Sequence, residues 1–191
     1  MSQGSDIAGE AVRLDALYRA KARAEIDTAE ALADTSQPVR CEGDELADVV
    51  LVKGEPGTAD LTAGVALAGE DGVAAHKALD AIGASARRFA ICTRLPDVAD
   101  DVRLERLALI LEAVDPRIVI ALDPVAAHDI ERACTLEPLT PGHLGSWRGR
   151  SLLAIEGLEA SLSDDALKRR VWAQLKALAS CVDPATRNGR P

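Results

Sequence analysis

The segment Lys53-Gly54-Glu55-Pro56-Gly57 combines residue types that can do chemistry in a loop. Two glycines permit a tight turn with bare backbone N–H groups, the geometry that cradles an anion. Glu55 stands among them as a carboxylate able to activate water, with Asp60, Asp97 or Asp123 as a second acid. Neither Gly-Lys-Ser/Thr nor Gly-x-Gly-x-x-Gly accompanies the loop, which excludes a P-loop and a dinucleotide fingerprint. His76, His128 and His143 are scattered, and no Ser-His-Asp or Cys-His order can be assembled from them. Cys41, Cys92, Cys134 and Cys181 form no Cys-x-x-Cys pair, so they read as free thiols of a reducing compartment, with no metal site and no cofactor. Basic residues gather at Arg148 and Arg150, and again at Lys168, Arg169 and Arg170. These five are the candidate contacts for nucleic acid or a protein partner, against the plainer reading of the second group as a solvated helix face.

The elements that must position these residues are marked by hydrophobic pattern. Four short runs, 48–53, 88–93, 117–123 and 151–156, are continuously apolar rather than alternating, as strands covered on both faces are. Helical spacing fills the gaps. Val73, Leu79 and Ile82 share a helix closed by Gly83, and Leu104, Leu107, Leu111 and Val114 share one that Asp100 or Asp101 can cap and Pro116 ends. Asp123-Pro124 is an N-cap and first-turn pair opening a helix over Ala127, Ile130 and Cys134. Leu167, Val171, Leu175 and Leu178 define another, and Leu14, Leu17 and Tyr18 lie on an N-terminal helix that breaks near 27–28. Strands alternating with helices predict an α/β fold: three layers, α/β/α, around a central, mainly parallel four-stranded sheet. The loops that begin at Lys53, Arg94, Asp123 and Gly157 then share one edge, where ligands of such folds bind. Residues 1–180 read as a single domain and 181–191 as a disordered tail.

Composition narrows the function. The chain has 191 residues and a formal charge of −9, which lacks the footprint of a strong non-specific DNA binder and predicts weak DNA binding. The acids are concentrated early, because residues 1–48 hold 11 acids and 5 bases whereas 164–191 hold 3 acids and 6 bases. Apolar runs such as 118–122 are far short of the roughly 20 residues of a membrane span, and the start of the chain is polar. A cytoplasmic protein that does not engage membranes is expected.

Cys41-Glu42-Gly43, then 49–57 ending in Lys-Gly-Glu-Pro-Gly, then Gly64, Gly69 and Gly72 resemble the uracil-DNA glycosylase superfamily, nearest its iron–sulfur branch. Residues 117–123 with Ala126 and Ala127 resemble a later strand of that family, and the likeness runs over residues 10–180 in order and spacing. It implies a glycosylase-like fold, and it implies losses. With no gap from Pro56-Gly57, the family's catalytic glutamate falls on Gly54, whereas a shift of one residue makes Glu55 the acid. The base-stacking phenylalanine falls on Leu67 and the arginine before it on Val65. The base-reading asparagine falls on Cys92, a glycine on Asp123, and the histidine of the His-Pro loop on Gly157. The four cluster cysteines fall on Ile26, Ala29, and near Pro96 and Arg103, none of them a thiol, so no iron–sulfur cluster is expected. A glycosylase must hold an extruded base and stabilise charge as its bond breaks. The resemblance therefore implies a degenerate member that acts through protein contacts, in DNA replication or repair. The psi subunit of the bacterial clamp loader, similar in fold to these glycosylases without their chemistry, has a terminal segment that residues 162–178 with Trp172 echo. The alternatives are a divergent DNA glycosylase or nucleic-acid hydrolase using Glu55, and an unrelated nucleotide binder.

Overall fold

The four apolar runs become the four adjacent parallel strands of one sheet. In the computed structural model, which describes residues 3–84 and 87–182, the chain order is α1 (Gln3–Glu30), β1 (Glu42–Gly43), β2 (Val49–Lys53), α2 (Thr58–Ala63), α3 (Glu70–Ala81) and β3 (Arg88–Cys92). There follow α4 (Asp100–Val114), β4 (Ile118–Ala121), α5 (Pro124–Cys134), β5 (Leu144–Trp147) and β6 (Arg150–Ala154). Then come α6 (Leu158–Ser161), α7 (Asp165–Leu175), a 3₁₀ turn (Lys176–Leu178) and α8 (Ala179–Val182). Spatial order is β1-β3-β2-β4-β6-β5, with β3, β2, β4 and β6 parallel and both outer strands antiparallel.

Alternation along the strands sends side chains to two separate cores. Val49 and Leu51 face Leu79, Leu158, Val171 and Leu175, on the side of α3, α6 and α7. Val50 and Val52 face Ile26, Leu107, Leu111 and Ile130, on the side of α1, α4 and α5. Burial on both faces is why these strands are apolar at every position.

The sheet differs from the expectation of four strands, since the described residues form six. β1 is only two exposed residues paired with Phe89 and Ala90, and β5 is a short edge strand carrying Gly145 and Ser146. Neither has an apolar run, so neither is visible by hydrophobicity. β5 and β6 join through a two-residue turn at Arg148 and Gly149, both at positive φ (47° and 82°), the conformation that suits a tight hairpin. Other differences are local. α1 continues to Glu30 instead of breaking near 27–28, and the N-cap of α4 is Ala99, with Asp100 and Asp101 in the first turn. Cys181 and Val182 belong to α8 rather than to a disordered tail, and 183–191 lie outside the described residues. Among the described residues no helix is long and apolar enough to cross a membrane.

Candidate functional site

The chain passes from β2 outward to β3, then crosses back to β4 on the other side of β2. At such a switch point the loops leave in opposite directions and open a crevice at the carboxyl ends of the strands. A cleft of about 470 Å³ lies there, lined by Leu122, Pro124, Val125, Leu158 and Ala160 together with Lys53, Glu55, Asp71, Asp123, Glu156, Gly157 and Glu159. Its walls are aliphatic and its charged groups are mostly carboxylates.

Lys53 ends β2 and its side chain turns inward, only 6% exposed. Its Nζ donates to Asp71 Oδ2 (2.6 Å) and Asp60 Oδ2 (2.9 Å), and pairs with Glu159 Oε2 at 3.0 Å. An ammonium has three protons, and here it meets three carboxylates. Burial alone would lower the Lys53 pKa, but the hydrogen bonds to Asp71, Asp60 and Glu159 outweigh it and raise the value above the ordinary lysine range. The ammonium thus ties together the starts of α2, α3 and α6 and is not a free base or anion anchor.

Two backbone N–H groups of the glycine loop, those of Gly54 and Gly57, are also taken. Asp60 Oδ2 accepts from the Gly57 N–H and its Oδ1 from the Ala68 N–H, both at 2.8 Å. Asp123 caps α5 through the Ala126 N–H (2.8 Å) and reaches across the switch point to the Gly54 N–H (2.8 Å). Helix starts at this edge ordinarily receive a ligand's anion. Here the chain's own aspartates occupy that role.

A second buried network braces the far side. Asp129 of α5 is fully buried and accepts from Thr93 Oγ1 (2.6 Å), Arg94 Nε (3.1 Å) and Arg94 Nη2 (3.2 Å). Arg103 of α4 adds an ion pair at 3.4 Å. Arg106, also buried, donates to the Cys92 carbonyl (2.9 Å) and to Cys41 Sγ (3.4 Å).

The residues singled out by sequence are distributed as follows. Glu55 lies exposed on the lip of the cleft. Of the acids that could assist it, Asp60 and Asp123 are saturated by the bonds above, and Asp97 is exposed and accepts from Ser36 Oγ (2.7 Å). Gly54 lies beneath α5, where an added Cβ would come within 2.6 Å of Val125 and 2.8 Å of Asp123 Oδ1, so a glutamate cannot occupy that position in this backbone. Leu67 is buried in the core at φ 56° and Cys92 is fully buried, so neither lines the cleft. Burial pushes the Cys92 thiol up to about 12, leaving it protonated and unreactive at neutral pH. Gly157 does line the cleft and starts α6 at φ 146°, a conformation that favours glycine and strains a histidine.

Arg148 and Arg150 are at the opposite, amino end of the sheet. They flank Trp147 at 5.1 and 4.7 Å, and pair with Glu112 (2.7 and 3.2 Å), Arg150 also with Asp115 (2.9 Å). Lys168, Arg169 and Arg170 lie exposed on α7, where Arg170 Nε donates to Glu156 Oε2 (2.7 Å) on the wall of the cleft. The two basic groups therefore do not combine into one surface. The positions where the resemblance would put iron ligands do not fit a cluster. Ile26 and Ala29 pack in the apolar core, Pro96 is half-buried, and Arg103 is committed to Asp100 and Asp129.

Asp71, Glu159 and Asp129 are site residues that sequence reading passed over, and it named Lys53 and Arg103 without giving either a part in an ion pair. The available signal was Lys53 itself, a lysine closing a strand that is otherwise wholly apolar. Compared with known proteins, the chain matches no protein-family model and no curated protein.

Proposed function

We propose that the chain is a non-catalytic, uracil-DNA glycosylase-like protein that acts by binding a protein partner in DNA replication or repair, in the accessory manner of the psi subunit. The observation that carries this reading is the commitment of the anion-binding groups within the chain: Asp60 and Asp123 take the Gly57 and Gly54 N–H groups, and the Lys53 ammonium is consumed by three carboxylates. Phosphate recognition needs free N–H groups and cations, which speaks against a nucleotide binder and against a DNA groove at this edge. Base recognition needs a stacking ring and an amide edge, and the positions that would supply them are buried Leu67 and Cys92. Of the acids that could assist Glu55 in the hydrolase alternative, Asp60 and Asp123 are committed to backbone N–H groups. What the cleft does offer is aliphatic surface with carboxylates around it, complementary to a segment bearing a basic side chain between apolar ones.

The test uses a photo-crosslinking amino acid at Pro124, an exposed wall residue, with Glu105 on the exposed side of α4 as control. In native cells, cross-links to a protein are expected from position 124 and not from 105, and Glu55→Lys should diminish them. Cross-links to nucleic acid from position 124, or sub-micromolar DNA binding with a steep salt slope at about 150 mM salt, contradict the reading.

A further inference from the structure

α7 turns Leu167, Val171 and Leu175 toward the body, and Leu178 continues that side in the 3₁₀ turn. The opposite side carries Lys168, Arg169, Trp172, Ala173 and Lys176, all exposed. Lys176 Nζ lies 5.9 Å from the centre of the Trp172 ring, a cation over an aromatic face. Elsewhere in this acidic chain exposed cations find carboxylates, as Lys21 does with Glu25, Arg23 with Glu45 and Arg148 with Glu112. Arg170, on the flank of α7, pairs with Glu156. Lys168, Arg169 and Lys176 pair with no carboxylate among the described residues. Asp164 at the start of the helix is engaged by the Ala166 and Leu167 N–H groups.

Three unpaired cations around an indole that is 37% exposed complement a ligand with carboxylates on either side of an apolar group. The extent of the patch decides which ligand. Lys168 and Lys176 are about 12 Å apart along the axis, at 1.5 Å per residue. Asp164 and Asp165 stand at the amino end of the patch, and Glu156 and Glu159 line the neighbouring cleft. A nucleic-acid strand carries charge at every nucleotide and would run off the cations onto these carboxylates, in a chain of net charge −9. A bilayer takes up a broad apolar face, and Trp172 is the only large apolar side chain among the five. A short acidic segment of a protein fits within the patch.

We propose that the outward face of α7 docks a short acidic protein segment, with carboxylates on Lys168, Arg169 and Lys176 and one apolar side chain against Trp172. This surface is separate from the cleft and does not depend on the function proposed there. The test titrates the full chain against three labelled probes: a peptide of aspartates flanking one leucine, a thymidine oligonucleotide, and vesicles containing phosphatidylserine. The peptide should bind in the micromolar range, more weakly as salt rises to about 0.3 M, and its asparagine counterpart should not bind. Lys168→Glu with Arg169→Glu, and separately Trp172→Ala, should each weaken the peptide about tenfold with an unchanged thermal midpoint, since these side chains are exposed. In Trp147→Phe the only indole left is Trp172, and its emission should shift to the blue as the peptide binds. A peptide that fails to bind, that binds the charge-reversed chain equally well, or that binds more weakly than the oligonucleotide or the vesicles overturns the proposal.

Discussion

Lys53→Met is expected to destabilise the fold by about 3–5 kcal/mol, because removing one partner of a buried ionic cluster strands the others. For a chain of this size that is a fall in thermal midpoint of roughly 10 °C. The stranded groups are Asp60 and Asp71, whose side chains are 1 and 6% exposed. Glu159→Gln should change stability by less than about 1 kcal/mol, because the Glu159 side chain is 62% exposed and solvent screens its share. Adding Asp60→Asn and Asp71→Asn to Lys53→Met should recover part of the loss by removing the uncompensated charge. The pH dependence follows in sign from the raised Lys53 pKa. A lysine held above its ordinary value contributes stability that is complete below about pH 10.4 and fades only as pH climbs through the higher folded value. The gap between wild type and Lys53→Met should therefore be flat from neutrality to about pH 10 when followed by thermal melts. A loss near that of Glu159→Gln would contradict the assignment of Lys53 as the hub.

Asp129→Ala should produce the second large effect, about 3–4 kcal/mol, since it removes the fully buried acceptor of Thr93, Arg94 and Arg103 and leaves Arg103 with only Asp100. Asp129→Asn keeps an acceptor oxygen for Thr93 and should lose about half as much. Denaturant melts read both values. Equal losses for the two variants would mean that side-chain charge, rather than hydrogen bonding, holds the carboxyl end of β3 against α5.

The parallel strands were legible because residues buried on both faces must be apolar, as Val49 to Val52 are. The cap of α5 was legible because Asp123-Pro124 is a local signal that acts within three residues. The outer strands were not, since β1 is two residues long and β5 is half-exposed, and their pairing is decided by neighbours in space. The cleft cluster was hidden for the same reason. Lys53, Asp71 and Glu159 are ordinary surface types in sequence, and only the folding of three loops onto one edge turns them into a saturated ionic knot. Arg103 and Arg106 read as charges on an amphipathic helix, yet both are buried because Asp129, the Cys92 carbonyl and Cys41 wait for them. The cleft's position at the carboxyl edge was foreseeable from strand alternation. Its chemistry was not.

The proposal that the chain is a glycosylase-like protein without the reaction is tested most directly by single-turnover incubation of a uracil-containing oligonucleotide with excess protein. No abasic sites above background are expected, and the set Leu67→Phe, Cys92→Asn, Gly157→His should not create activity, since Leu67 and Cys92 are buried away from the cleft and Gly157 sits at φ 146°. Excision by the unmodified chain, abolished by Glu55→Gln, would contradict the account and make Glu55 the catalytic acid.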